Sequence, residues 1–129
     1  MLAKDIMTTQ VLTVLPSILI KDAIKLLVEI EISGLIVTDE NNEIFGVLSG
    51  KDLIVAYDFL GQVKAPIRDY VNRDVISVPQ DTPIKEISHI LIQKNILRVP
   101  IVEDKKVLGV VSRRDILRYI LNQVQSHTD

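Results

Sequence analysis

Gly46-Val47-Leu48-Ser49-Gly50-Lys51-Asp52-Leu53 returns further along the chain as Gly109-Val110-Val111-Ser112-Arg113-Arg114-Asp115-Ile116. Each copy closes a stretch of similar length and similar pattern, so the chain reads as one unit written twice. Two copies with polar groups at the same register can face each other across a pseudo-two-fold axis, and any site they build then comes as a pair. That directs the search for function toward ligand binding between the halves.

The repeat extends well beyond this motif. Sliding the first half by about 64 residues sets Asp5 on Asp69, Val11 on Val75, Thr13 on Ser77, Val14 on Val78, Ile20-Lys21 on Ile84-Lys85, Leu27 on Leu91 and Ile32 on Ile96. One residue then drops out, because Asn41-Asn42-Glu43 faces only Lys105-Lys106. A single gap in a surface turn is what a duplicated structural unit tolerates. The reading places a first repeat at 1–61, a connector at 62–66, a second repeat at 67–124 and a flexible tail at 125–129.

Composition limits what such a repeat does. With 129 residues and 47% hydrophobic content, the chain buries a core as one compact domain or as two tightly packed halves. Cysteine is absent, which excludes disulfides and thiolate metal sites and fits a reducing compartment. The net charge of -2, with both signs interspersed, does not suggest a nucleic-acid surface. Mean hydropathy is high at +0.28, yet no apolar run reaches the roughly 18 residues of a membrane span. The start, Met1 to Asp5, lacks the basic end and apolar stretch of a secretion signal, so a cytoplasmic location is expected.

Periodicity predicts strand, helix, strand, strand, helix in each half, a mixed α/β fold of two β-α-β-β-α units. Val11 to Leu15 and Val75 to Val78 are β-branched runs closed by turn formers, and predict opening strands. Ile20, Ala23, Ile24, Leu27 and Val28 fall at amphipathic helix spacing, as do Ile84, Ile87 and Leu91, with Ser88 on the same stripe. Leu35 to Val37 with Ile44 to Leu48, and Val99 to Val102 with Val107 to Val111, predict hairpins around polar turns. Pro100, which lacks an amide donor, is expected at a strand end or an edge. Closing helices are expected from near Lys51 and Arg113, the first stopped by Gly61.

Ser49-x-x-Asp52 and Ser112-x-x-Asp115 each have two readings. As a capping box, the two side chains satisfy amides left unpaired at a helix start. As a ligand motif, each stands at a strand-to-helix junction, where a helix N-terminus can face an anion and a carboxylate can accept two vicinal hydroxyls. The duplication adds weight to the second reading.

These residues resemble the tandem cystathionine-beta-synthase (CBS) domain pair, or Bateman module. Asp5-Ile6-Met7-Thr8 followed by Val11-x-Thr13-Val14 is similar to that family's opening signature, and Asp69-Tyr70-Val71 with Val75-Ile76-Ser77-Val78 to a degraded second copy. Leu97-Arg98-Val99-Pro100-Ile101-Val102-Glu103-Asp104 resembles the strand before the hairpin. The repeated Gly-hydrophobic-hydrophobic-Ser-x-x-Asp is the family's most recognisable element. The resemblance implies half-domains packed through their sheets, with two clefts that take adenosine-containing ligands such as AMP, ADP, ATP or S-adenosyl-methionine.

Carried over residue by residue, the resemblance implies one cleft of Val47, Ser49 and Asp52 with Ile76, Ile96, Leu97, Arg98 and Val99. The other combines Val110, Ser112 and Asp115 with Leu12, Ile32, Ser33, Gly34 and Leu35. In this scheme the Asp binds ribose, and apolar residues sandwich the base. Arg98 matches a family phosphate ligand while its counterpart is Gly34, which makes the Asp52 and Arg98 cleft the better phosphate site. Lys51, Arg113 and Arg114 are further phosphate candidates, or simply solvated basic helix starts.

An enzyme reading finds little support. His89 stands alone on a predicted helix, His127 is in the tail, and neither forms a dyad or a metal cluster. No metal and no required cofactor are expected. The resemblance implies a homodimer, a disc of four repeats, for which the apolar faces around Leu53, Tyr57, Ile116 and Ile120 are suitable, though they serve equally as internal core. No fused enzyme, channel or DNA-binding segment is expected, so output would pass to a separate effector protein. Two functions stay open: a ligand-sensing regulatory module, and a structural dimerisation module whose Ser-x-x-Asp motifs only cap helices.

Overall fold

The computed structural model describes residues 1–126. In chain order it has α1 (Ala3–Ile6), β1 (Thr13–Val14), α2 (Ile20–Ile30), β2 (Gly34–Thr38), β3 (Ile44–Ser49) and α3 (Gly50–Leu60). A short 3-10 turn (Arg68–Tyr70) leads to α4 (Ile84–Gln93), β4 (Arg98–Glu103), β5 (Lys106–Ser112) and α5 (Arg113–Ser126). The chain divides into two compact units. Leu12–Val75 form one, and Met1–Val11 together with the chain from Ile76 onward form the other.

The expected helices form where the apolar stripes fall. Ile20 and Ala23 of α2 are buried, as are Ile84, Ile87 and Leu91 of α4. Both helices give way to a residue in the left-handed region, Glu31 (φ 59°) after α2 and Asn95 (φ 51°) after α4. Gly61 (φ 68°) ends α3, donating its N–H to the Tyr57 carbonyl. α5 runs to Ser126, so the expected tail is helical at Gln125 and Ser126. Residues 127–129 of that tail, His127 among them, lie outside the described residues.

Both hairpins form, and each has a register shift at the same repeat position, between Val37 and Thr38 and between Ile101 and Val102. Their turns differ. In the first, the Asp39 carboxylate accepts the N–H groups of Asn41 and Glu43, at 2.8 and 3.0 Å. The second is a two-residue turn with Asp104 and Lys105 both at positive φ, the geometry that matches strand twist in tight hairpins. The residue lost between the repeats is lost here.

The opening strands are not alike. β1 pairs parallel with β2 over two residues, Thr13 with Ile36 and Val14 with Val37. The strand expected over Val75 to Val78 shrinks to a single bridge between Val78 and Ile101. Pro100 supplies the reason. Val78 donates to the Pro100 carbonyl at 3.2 Å, and Val102 donates back to Val78 at 3.0 Å. A strand residue's N and O point to the same side, so the next donor needed toward Ile76 is the N–H that proline lacks. Its counterpart in the first half is Ile36, which has one. Pro100 therefore lies mid-strand but on the edge away from β5, where it costs the β4/β5 ladder nothing.

Neither packing unit coincides with a sequence repeat, because each half is completed by the lead-in of the other. Thr8 exchanges N–H and C=O bonds with Val110 at 2.9 and 3.0 Å, and Asn72 does the same with Val47. Further back, Leu2 bridges Pro83 and Pro66 bridges Leu19. The glycines of the repeated motif make room for this. A Cβ at Gly46 would meet the Asn72 carbonyl oxygen at 2.5 Å, and one at Gly109 the Thr8 oxygen at 2.8 Å. Two cores result. Ile20, Val37, Leu48, Leu53 and Ile67 anchor one, and Ala3, Ile87, Leu91, Val99 and Val111 the other.

Candidate functional site

The two Ser-x-x-Asp motifs open α3 and α5, and the structure builds both as capping boxes. The Asp52 Oδ2 accepts the Ser49 N–H at 2.8 Å and the Ser49 hydroxyl at 2.9 Å, while the Asp52 N–H returns to the Ser49 Oγ at 3.3 Å. The Asp115 Oδ2 accepts the Ser112 N–H and hydroxyl at 2.8 and 3.0 Å, and its N–H returns to the Ser112 Oγ at 3.1 Å. Two helix-start amides are thus satisfied in each unit, and each carboxylate lies where the helix dipole favours negative charge.

A carboxylate offers about four lone-pair positions, two on each oxygen. The box consumes those of Oδ2 and leaves those of Oδ1. At Asp52, Oδ1 has no protein partner among the described residues. At Asp115, which is 6% exposed, Oδ1 accepts from Arg118 Nη1 at 3.1 Å. The repeat-equivalent of Arg118 is Val55, so the first box has no such ion pair.

Around each box the register brings predicted site residues together within one unit. Gly34 pairs with Ser49 across β2 and β3, and Arg98 pairs with Ser112 across β4 and β5. The first helical N–H returns to the residue ahead of the strand, Gly50 to Ser33 at 3.3 Å and Arg113 to Leu97 at 3.0 Å. Ser33, Gly34, Val47, Ser49 and Asp52 are half-buried or exposed around α3, and Leu97, Arg98, Val110 and Ser112 take the same positions around α5. Leu12 and Ile76 are exposed apolar residues at equivalent positions, and Ile32 and Ile96 are half-buried.

Leu35 and Val99, expected on cleft walls, are 3% and 0% exposed. They sit one position into the strand, where alternation turns the side chain onto the core. Arg113, a phosphate candidate, is committed elsewhere. Its guanidinium donates to the Ile96 carbonyl at 3.0 Å, the Leu91 carbonyl at 3.3 Å and the Asn95 Oδ1 at 3.2 Å. It closes the C-terminal end of α4, where orphan carbonyls need donors. Lys51 and Arg114 are exposed.

The helical faces also divide. Leu53 and Ile116 are buried in their own units. Tyr57 and Ile120 are exposed, with Ile54, Val55 and Phe59 on α3 and Leu117, Leu121 and Val124 on α5. His89 is exposed. No cluster of metal-ligating side chains occurs among the described residues, and no helix among them is long and apolar enough to cross a membrane.

Sequence reasoning missed Arg118 and the α4-closing role of Arg113. Both had a signal, since each stands where the other repeat has a residue unable to do the same, Val55 and Gly50.

Known proteins resemble this chain in sequence and in fold. The chain is 30% identical over 119 residues to a 17.7 kDa protein of Acidianus ambivalens, covering 92% of this chain and 72% of that one. It is 32% identical to the L-aspartate semialdehyde sulfurtransferase of Methanocaldococcus jannaschii over 91% of its own length, but spans only 23% of that enzyme. Among solved structures, CBSX2 in complex with AMP superposes with a TM-score of 0.87 at 27% identity, covering 95% of this chain and 98% of that one. The CBS domain pair of protein MJ0100, in complex with 5′-methylthioadenosine and S-adenosyl-L-methionine, gives 0.80 at 27% identity, covering 95% and 98%. The model of the CBS domain matches twice, at residues 3–58 and 67–122, and the chain therefore belongs to the CBS domain family as a tandem pair.

Proposed function

We propose that the chain is a regulatory module that binds adenosine-containing ligands at its two Ser-x-x-Asp boxes and passes the resulting change to a separate partner protein. The observation that carries this reading is the open Oδ1 of Asp52, a carboxylate oxygen at a helix start with lone pairs left over after the cap is built. Vicinal hydroxyls of a ribose match it, and the exposed apolar Ile76, Leu97 and Leu12 are suited to an adenine face. Relatives at 27% identity that hold AMP, or 5′-methylthioadenosine and S-adenosyl-L-methionine, support the ligand class. Arg98 supports a phosphorylated ligand. The module is non-catalytic and cytoplasmic in this reading, consistent with a cysteine-free sequence.

Homodimerisation through α3 and α5 belongs to the same proposal, supported by the exposed Tyr57, Phe59, Ile120 and Leu121. The second reading, a scaffold in which the boxes only cap helices, is favoured by one observation: every bond of Ser49 and Ser112 to its Asp is a cap bond.

A thermal-shift panel on wild type, Asp52→Ala and Asp115→Ala with AMP, ADP, ATP, S-adenosyl-methionine, 5′-methylthioadenosine and NAD separates the two. A ligand at about 1,000 times its Kd adds roughly 4 kcal/mol of stability. The sensor reading expects a compound-specific rise that shrinks in a mutant. If no compound moves the wild-type midpoint while both mutants melt earlier, the scaffold reading stands.

A further inference from the structure

The two boxes are alike in their cap bonds and unlike in what remains. Asp52 keeps both lone pairs of Oδ1, whereas Asp115 has given one to Arg118 at 3.1 Å. Two hydroxyls of a ribose need two acceptor positions, and Asp115 has one left. The stem of Arg118 rises from one turn into α5, so the ion pair lies within a single helix and needs no other element to hold it. The pair is asymmetric in burial: Asp115 is 6% exposed and the Arg118 side chain 58%. Arg118 is thus free to swing into solvent, while Asp115 cannot follow it.

From this we infer that Arg118 is a specificity-determining residue that occupies part of the Asp115 carboxylate, so that the Asp52 box accepts an intact 2′,3′-diol and the Asp115 box only a single hydroxyl. The inference rests on the nucleotide reading above. A ribosyl ligand fills the Asp52 box first, and at the Asp115 box it must displace the guanidinium or forgo one hydroxyl bond. Val55, the residue at the matching position, makes Arg118→Val the natural variant, since it gives the second helix what the first already has.

Isothermal titration with AMP and 2′-deoxy-AMP tests this on the intact chain. Wild type is expected to show two sites at least tenfold apart, the tighter lost in Asp52→Ala. 2′-Deoxy-AMP is expected to weaken the tight site about tenfold and the weak site little, since a bond to a charged group is at stake in one and not the other. In the Asp52→Ala background, Arg118→Val and Arg118→Met are both expected to strengthen the remaining site about tenfold and to make it sensitive to the 2′-hydroxyl. Circular dichroism checks that the variants fold, and using two replacements guards against an effect of valine in a helix. Unchanged or weaker AMP binding in both variants overturns the inference, and would make Arg118 a ligand contact or a bystander. Equal sites in wild type overturn it as well while leaving the nucleotide reading intact. Absence of binding in wild type and variants alike removes the nucleotide reading, and the inference with it.

Discussion

Gly109 lies so close beneath Thr8 that a Cβ at this position would stand 2.8 Å from the Thr8 carbonyl oxygen. Gly46 stands in the same relation to Asn72, at 2.5 Å. The glycine that opens the repeated motif is therefore a steric requirement of the crossed lead-in, and its place beside Ser-x-x-Asp reflects packing.

Gly46→Ala and Gly109→Ala are expected to destabilise the protein by about 1–3 kcal/mol each, because the obstructing atoms include a backbone carbonyl oxygen in each case, beside the Val71 or Met7 side chain, and must move. Gly50→Ala is the control. Its nearest contact would be the Leu27 Cδ1 at 4.0 Å, so alanine at this first helical position is expected to be neutral or stabilising by up to about 1 kcal/mol. Urea midpoints at constant slope read all three.

Glu31 holds φ at 59° after α2 with its side chain exposed. Left-handed backbone disfavours a residue with a Cβ, and asparagine already stands at the equivalent Asn95. Glu31→Gly and Glu31→Asn are each expected to raise stability by about 0.5–1 kcal/mol, visible as a higher melting temperature.

Arg113 binds two carbonyls and one amide oxygen at the end of α4. Arg113→Met is expected to cost about 1 kcal/mol. Lysine, with a single point of donation in place of a planar fork, is expected to recover less than half of that. Hydrogen exchange checks the location: faster exchange should be confined to the last turn of α4.

Asp52→Ala and Asp115→Ala both lose a capping box, at about 0.5–2 kcal/mol each. Asp115→Ala is expected to lie at the upper end of this range, since it also releases the pair with Arg118, worth about 0–1 kcal/mol at so exposed a guanidinium. A double-mutant cycle with Arg118→Met isolates that part. A coupling near zero would mean that the pair contributes no stability, which leaves its occupancy of the carboxylate as its only effect.

The helices and hairpins were legible because their information is local. A stripe such as Ile84, Ile87, Leu91 fixes a helix face, and Asp104-Lys105 fixes a turn, whatever the rest of the chain does. The caps at Ser49 and Ser112 were legible for the same reason. Partners remote in sequence were not: nothing near Thr8 indicates that it pairs with Val110, although the two glycines marked where a second backbone comes close. The loss of a strand at Val75 to Val78 depends on Pro100, far along the chain, even though its missing donor was recognised. Leu35 and Val99 hold cleft positions in the family resemblance, while strand alternation turns both side chains onto the cores. Arg118 belongs to no repeated motif, and its meaning lies in where the repeats differ.

The crossed lead-ins also impose an order of events during synthesis. Leu12–Val75 is contiguous and carries its own core, so that core can form while the remainder of the chain is still being made. The other unit closes Met1–Val11 onto β5 and α5, a long loop that can form only once those elements have emerged. Reordering the sequence so that residues 76–126 precede Met1–Val11, through a flexible linker, with Leu12–Val75 following would make both units contiguous. Such a circular permutant should fold with fewer long-range closures and therefore faster.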